Sequence, residues 1–340
     1  MRPPERSPPA AVGLDVGGGS VKALCWAPGA PVPTQTVRQR VDGRDATAVL
    51  ALASALVADV APADAGVVVG VALPGRIQRS GLVAQSPNLP WLDGVDARAR
   101  FAEAISEAVP RATLSWLGND ATAAAVGEVQ GSIDERRIGL WTIGTGVGGG
   151  LVIDGAPLLG AQGYAAELGH VPVRAGGPPC GCGGRGCLET YASVTALIQR
   201  AIDLGASDAP DPRGRGAAAE ASGAGVSRVG WLSERLAQGD PAVRHVMQDA
   251  AELLANAMAS VASLWSLDTV VLGGGGALLW PVWRPWLVAA LDDACSALGL
   301  AHKPRLRVAR LGPAAGALGA AVAARDAVRS AAAHAATSAR

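Results

Sequence analysis

Short apolar runs alternate with stretches of helical spacing along most of the chain. Residues 11–15 and 21–26 are β-prone runs joined by Gly17, Gly18, Gly19 and Ser20, the pattern of a hairpin whose turn is bare of side chains. Apolar positions in 47–60 recur at helical spacing, and 67–73 is a continuous apolar run that stops at Pro74 and Gly75. Residues 96–109, 113–117 and 121–130 then read as helix, strand and helix. A second cycle begins with the run 138–143, turns at Gly144, Thr145 and Gly146, and returns through 148–154, repeating the first hairpin. From Val243 to Leu264 and Trp265, apolar residues at three- and four-residue steps mark one face of a long helix. That helix feeds the strand 269–272 and four consecutive glycines, Gly273 to Gly276. Strands alternating with helices predict an α/β fold with a largely parallel sheet.

Composition sharpens this in three ways. At 340 residues one core is near its practical limit, so two domains are expected. With 29 basic and 29 acidic residues the formal net charge is zero, which disfavours a polyanion partner such as nucleic acid. The N-terminus lacks the apolar run of a secretory signal, and no stretch supplies the ~20 uninterrupted apolar residues of a membrane span, so a cytoplasmic protein is expected. The 45 glycines are an excess over the usual share, and much of it falls in a few short segments. Residues 205–230 degenerate into Ala, Gly, Ser, Pro and Arg, the composition of a mobile surface insertion.

Three of the glycine segments have the makings of a nucleotide site. A turn without β-carbons lets backbone N–H groups close on an anion, and Asp15, at the strand end before Gly17 and Gly18, is placed to hold magnesium through water. A tight hairpin without a ligand is the equally plain reading of that turn alone. The turn at residues 144–150 repeats the device and adds the Thr145 hydroxyl beside Gly146. It is neither a Walker loop nor a dinucleotide fingerprint. Gly274 and Gly275 lie in the third cluster, where bare backbone suits either a flat base and ribose or close helix–strand packing. Asn119 and Asp120 sit between a strand and a helix, where spacing alone favours an N-cap over a general base.

The most specific signal is His170, Cys180, Cys182 and Cys187, spaced H-x9-C-x-C-x4-C with glycines in the gaps. Three thiolates and an imidazole satisfy tetrahedral zinc, and with all four positions filled by protein the site is structural. Glu167 and Glu189 flank this knot, which would fix two carboxylates and an imidazole in one corner, a donor set suited to sugar hydroxyls.

Taken together, Asp15-Val-Gly-Gly, Pro74-Gly75, the segment from Ser86 to Trp91, Asn119-Asp120-Ala121, the 144–150 turn, Glu167-Leu-Gly-His170, the cysteine segment through Glu189 and Val271-Leu-Gly-Gly-Gly resemble the ROK (repressor, open reading frame, kinase) family of sugar kinases, from residue 11 to about 325. The resemblance implies an actin-like, ribonuclease-H-like fold of two α/β domains closing over a hexose. A tail would cover 1–10, a small domain 11–118 with a C-terminal helix at about 314–327, a large domain 119–313 containing the knot and the 205–230 insertion, and a second tail 328–340. It implies phosphoryl transfer from ATP with magnesium to the 6-hydroxyl of glucose or a close relative. Asp120 would be the base. Gly75, Asn88, Asn119, Asp120, Glu167, His170 and Glu189 would bind the sugar, and Asp15, Gly17, Gly18, Thr145, Gly146, Gly274 and Gly275 the nucleotide. A homodimer is common among such relatives. Gly19 stands where the family usually has Thr or Ser, and Arg76 after Pro74-Gly75 resembles the N-acetylmannosamine kinase pattern. The family also contains sugar-sensing repressors, disfavoured because only sixteen residues precede the first glycine turn.

Overall fold

The computed structural model describes residues 9–27, 35–63, 65–130, 132, 134–212 and 227–338. The predicted N-terminal tail lies outside the described residues up to position 8, as do residues 213–226 of the predicted insertion. The chain divides into two units: Met1–Gln130, Ala156–Ala165 and Pro313–Arg340 form one, Gly131–Gly155 and Ala166–Gly312 the other.

In the first unit, β1 (Ala10–Val16) and β2 (Ser20–Trp26) make the hairpin, with Val16 opposite Val21, and β3 (Gln35–Arg40) adds to β2. After helix α1 (Ala46–Val60), β4 (Val67–Leu73) pairs parallel to β1. After α2 (Ala97–Ala108), β5 (Ala112–Asn119) pairs parallel to β4. The sheet order is β3-β2-β1-β4-β5. β4 is buried along its whole length, as a continuous apolar run at the centre of a parallel sheet must be. Asp45 and Asp96 begin α1 and α2 by accepting backbone N–H bonds from Ala48 and Ala99, both at 3.0 Å.

Helix α3 (Asp120–Glu128) follows β5 directly. In the second unit, β6 (Ile138–Ile143) and β7 (Val147–Ile153) repeat the antiparallel hairpin. Helices α4 (Val194–Asp203), α5 (Arg228–Ala237) and α6 (Pro241–Trp265) come next. They are followed by β8 (Thr269–Gly273), parallel to β6, then α7 (Trp280–Ala297) and β9 (Arg305–Val308), parallel to β8. The order β7-β6-β8-β9 thus reuses the logic of the first sheet: a glycine hairpin extended by parallel strands. This is the duplicated α/β architecture expected of an actin-like fold. The five cysteines form no disulfide, and Cys25 and Cys295 are buried apart from the other three.

Several expectations are corrected. The C-terminal helix α8 runs Ala315–Ser338, through most of the predicted second tail. Its small side chains pack on β1, β4 and α3, and a β-carbon on Gly13 or Gly70 would collide with the carbonyls of Ala317 and Ala320. Part of the glycine excess is therefore close packing rather than ligand binding. Because α3 packs along α8, the boundary between units falls after Gln130 rather than after Gly118. Residues 156–165 join the first unit, where Arg79 donates to the Gly160 carbonyl at 2.8 Å. On α6 the buried face ends at Ala262; Leu264 is 77% exposed and Trp265 38%. Helix α5 begins inside the stretch predicted as an insertion.

Candidate functional site

Three neighbouring parallel strands of the first unit release their candidate residues at the same edge. In register, Asp15 of β1 faces Ala72 of β4, and Leu73 faces Asn119 of β5, so Asp15, Pro74-Gly75 and Asn119-Asp120 all leave the carboxyl ends of the sheet, where open α/β sheets place their ligands. Asn119 is the N-cap of α3: its Oδ1 accepts from Thr122 N at 3.0 Å while its Nδ2 donates to the Gly75 carbonyl at 3.1 Å. The capping duty thus falls on Asn119. Asp120 is the first helical residue, half-buried, with Oδ1 accepting from Ala121 N at 2.8 Å, at the end of the helix whose N–H groups favour a negative charge.

Asp15 is ion-paired to Lys22 at 2.6 Å across the hairpin. Gly17 N donates to Ser20 O at 2.9 Å, and Gly18 lies against the backbone of Asn88, whose side chain is exposed. Ser86, fully buried, donates to the Pro74 carbonyl at 2.6 Å and fixes the segment that carries Asn88. The first unit therefore brings together Gly75, Asn119 and Asp120, and separately sets Asn88 beside Gly18.

In the second unit the glycine turn between β6 and β7 is tied to the residues that follow the cysteines. Glu189 Oε2 accepts from Val147 N at 2.9 Å, and Val194 N donates to the Gly144 carbonyl at 2.9 Å. A β-carbon at Gly146 would strike the Glu189 carboxylate and push it aside, so glycine leaves this tie undisturbed. Thr145, at the tip, is exposed, and the Arg228 guanidinium donates to its hydroxyl at 3.3 Å. In the third segment, Gly274 (φ +77°) and Gly276 are held against Ile143, as close packing demands, whereas Gly275 faces open space.

The cysteine segment folds into a small cluster. The four ligand atoms of His170, Cys180, Cys182 and Cys187 lie within 4.8 Å of one another. His170 Nδ1 is 3.6 Å from Cys180 Sγ, and the sulfurs of Cys182 and Cys187 are 3.6 Å apart. A tetrahedral zinc with sulfur ligands at 2.3 Å requires edges of roughly 3.8 Å, so the cluster fits the ion. Burial pushes the Cys180 thiol up to about 12 and raises that of Cys187, so the ligating thiolate is favoured there only beside a compensating cation. With Nδ1 turned to the sulfurs, Nε2 of His170 faces Glu167 Oε2 at 4.0 Å, and Glu189 Oε1 is 3.8 Å from Cys180 Sγ. Glu167, His170 and Glu189 do surround one small knot. The knot is clamped from behind: Arg174 and Arg200 both pair with Asp249 and stack on the Tyr191 ring at 5.1 and 5.2 Å.

Two features here were invisible to spacing. The tie from Glu189 to Val147 spans 42 positions, and Arg228 lies at the end of a low-complexity stretch with no motif around it.

Comparison with known proteins follows the same lines. A family model described as the ROK family matches residues 11–327. The chain is 34% identical over 66% of both chains to a kanosamine kinase of Amycolatopsis mediterranei. It is 30% identical to a glucokinase of Thermotoga maritima, over 78% of this chain and 81% of that one. Among solved structures it resembles a ROK hexokinase from Thermus thermophilus (TM-score 0.76, 30% identity, 94% of this chain and 99% of that chain). It also resembles a ROK family glucokinase from Streptomyces griseus in complex with glucose and AMPPNP (TM-score 0.68, 25% identity, 93% and 99%).

Proposed function

Because the chain belongs to the ROK family, we propose that it transfers the terminal phosphoryl group of ATP to the 6-hydroxyl of a hexose, glucose first among them, with Asp120 as the general base. The observation that carries this reading is the division of labour at the start of α3: Asn119 caps the helix and locks to Gly75, so Asp120 is not needed for the cap. In the step, Asp120 accepts the proton of the 6-hydroxyl, the sugar oxygen bonds to phosphorus, and the bond from phosphorus to the bridging oxygen breaks, leaving ADP and a sugar 6-phosphate. Positioning and charge stabilisation supply most of the acceleration, the base about 10²–10⁴-fold.

Gly75, Asn88, Asn119, Glu167, His170 and Glu189 are proposed to hold the ring hydroxyls, and Asp15, Gly17, Gly18, Thr145, Gly146, Gly274 and Gly275 the nucleotide, with magnesium on Asp15. His170, Cys180, Cys182 and Cys187 are the residues that would hold zinc. When bound, the ion fixes the ring of His170 and the backbone that carries Glu167 and Glu189. His170 then has two roles, Nδ1 toward the thiolates and Nε2 toward the sugar. A cytoplasmic homodimer completes the proposal, the dimer being open to sedimentation analysis.

A coupled ADP-release assay across glucose, fructose, mannose, kanosamine, N-acetylglucosamine and N-acetylmannosamine, with ATP or polyphosphate as donor, tests it. Highest kcat/KM with glucose and ATP is expected. A clear preference for an amino sugar would reassign the substrate, and absence of turnover with every sugar would refute the kinase reading.

A further inference from the structure

The structure assigns Arg228 a role that no motif carries: we propose that it is a ligand for the phosphate oxygens of the nucleotide. The inference rests on the reading of the 144–150 turn as a phosphate turn. Arg228 is the first residue of α5, whose N-cap is Ser227. Its Nη2 donates to Thr145 Oγ1 at 3.3 Å and its Nη1 to the Pro212 carbonyl at 3.0 Å. Its Nε is buried and, among the described residues, has no hydrogen-bond partner. Helix α5 also packs against the Gly275–Leu279 turn, so the same helix that aims a guanidinium at one glycine turn lies along the next glycine segment.

Several other arginines of this unit pair with carboxylates: Arg137 with Asp154, Arg174 and Arg200 with Asp249, Arg235 with Asp208 and Asp240, Arg307 with Glu135. Among the described residues no carboxylate pairs with Arg228. A guanidinium stays charged at any pH the protein meets, and its planar fork matches phosphate oxygens two at a time. A cation with no carboxylate partner among the described residues, held against the exposed hydroxyl of a bare turn, is built to receive an anion. The contact with Thr145 adds direction: a hydroxyl that accepts from Arg228 has its own hydrogen left to donate outward. Arg228 and Thr145 thus present donors to the same phosphate group.

The test is calorimetric titration of the full chain, without sugar, using AMPPNP and adenosine, in the parent and in Arg228→Gln and Arg228→Lys. Loss of a charged hydrogen-bonding group predicts at least about tenfold weaker AMPPNP binding for Arg228→Gln. Arg228→Lys, a point charge on a flexible stem, should fall between, and adenosine, measured by competition, should bind all three alike. Where Arg228→Gln alters thermal unfolding, Arg228→Lys carries the test, with several-fold weakening expected because the fork is lost. A parent that binds AMPPNP together with variants that bind it equally well overturns the proposal and leaves the kinase reading standing. Equal weakening of adenosine and AMPPNP overturns it too, since Arg228 would then be only part of the wall. A parent that binds neither ligand overturns both readings.

Discussion

Replacing Asp120 by Asn separates catalysis from folding because the two effects differ in size. The amide is nearly isosteric with the carboxylate and keeps an oxygen for the 2.8 Å bond from Ala121 N, and α3 retains its cap through the 3.0 Å bond from Thr122 N to Asn119. What the helix loses is one negative charge in its first turn, about 0.3–1 kcal/mol. What the reaction loses is its base, a factor of about 10²–10⁴, equivalent to roughly 3–5 kcal/mol of transition-state stabilisation. The variant should therefore unfold within a few degrees of the parent and bind glucose within a few-fold by calorimetry, while kcat in the coupled ADP assay falls at least about a hundredfold. Turnover near that of the parent would refute the role given to Asp120. Collapse of glucose binding together with kcat would mean that Asp120 mainly binds.

Three further outcomes follow from other parts of the molecule. Cys182→Ser should release zinc, measured by elemental analysis against the parent, and raise KM for nucleotide as well as sugar, because the Glu189 tie to Val147 N couples the knot to the 144–150 turn; zinc-free parent protein would refute the knot. Glu135, 3% exposed, holds Arg305, Arg307 and Arg310 at 3.9, 2.8 and 3.1 Å. Burial by itself pushes its carboxyl up, but the hydrogen bonds and charge of Arg307, with the charges of Arg310 and Arg305, outweigh burial and hold it below the usual carboxylate range. A lowered group stabilises the fold above its unfolded-state value and ceases to as pH falls through its folded-state value. Glu135→Gln should accordingly cost about 3–5 kcal/mol in urea unfolding at pH 7 and progressively less in acid; a cost independent of pH would refute the ionic account. Gly70→Ala should destabilise by about 1–3 kcal/mol or more, since its β-carbon meets the Ala320 carbonyl, and an unchanged Tm would contradict the close seating of α8 on β4.

What could be read from the sequence was whatever is encoded locally. The runs of β4 and β6 match the structure residue for residue because continuous apolar segments bounded by glycine or proline have few other uses. The cluster of His170, Cys180, Cys182 and Cys187 was readable because its four residues fall within a short stretch whose spacing alone constrains them. The edge strands β3 and β9 were not, being short and either mostly polar, QTVRQR, or half charged, RLRV, as edges exposed to solvent tend to be. Helix α7 was hidden by Pro281 and Pro285, the first harmless at its start, the second inside it. The unit boundary depends on α3 meeting α8 from nearly 200 residues away, and the partners of Glu189 and Arg228 are likewise set by tertiary packing. Local pattern thus placed the strand ends that carry the candidate residues, whereas the side-chain ties between them needed the fold.

The central claim is that this chain phosphorylates a hexose at its 6-hydroxyl. Incubation with ATP, magnesium and carbon-13 glucose, followed by NMR of the products, addresses it directly: glucose 6-phosphate in one-to-one ratio with ADP is the predicted result, and ADP no higher than in a protein-free blank, with glucose and with each other sugar of the panel, would contradict it.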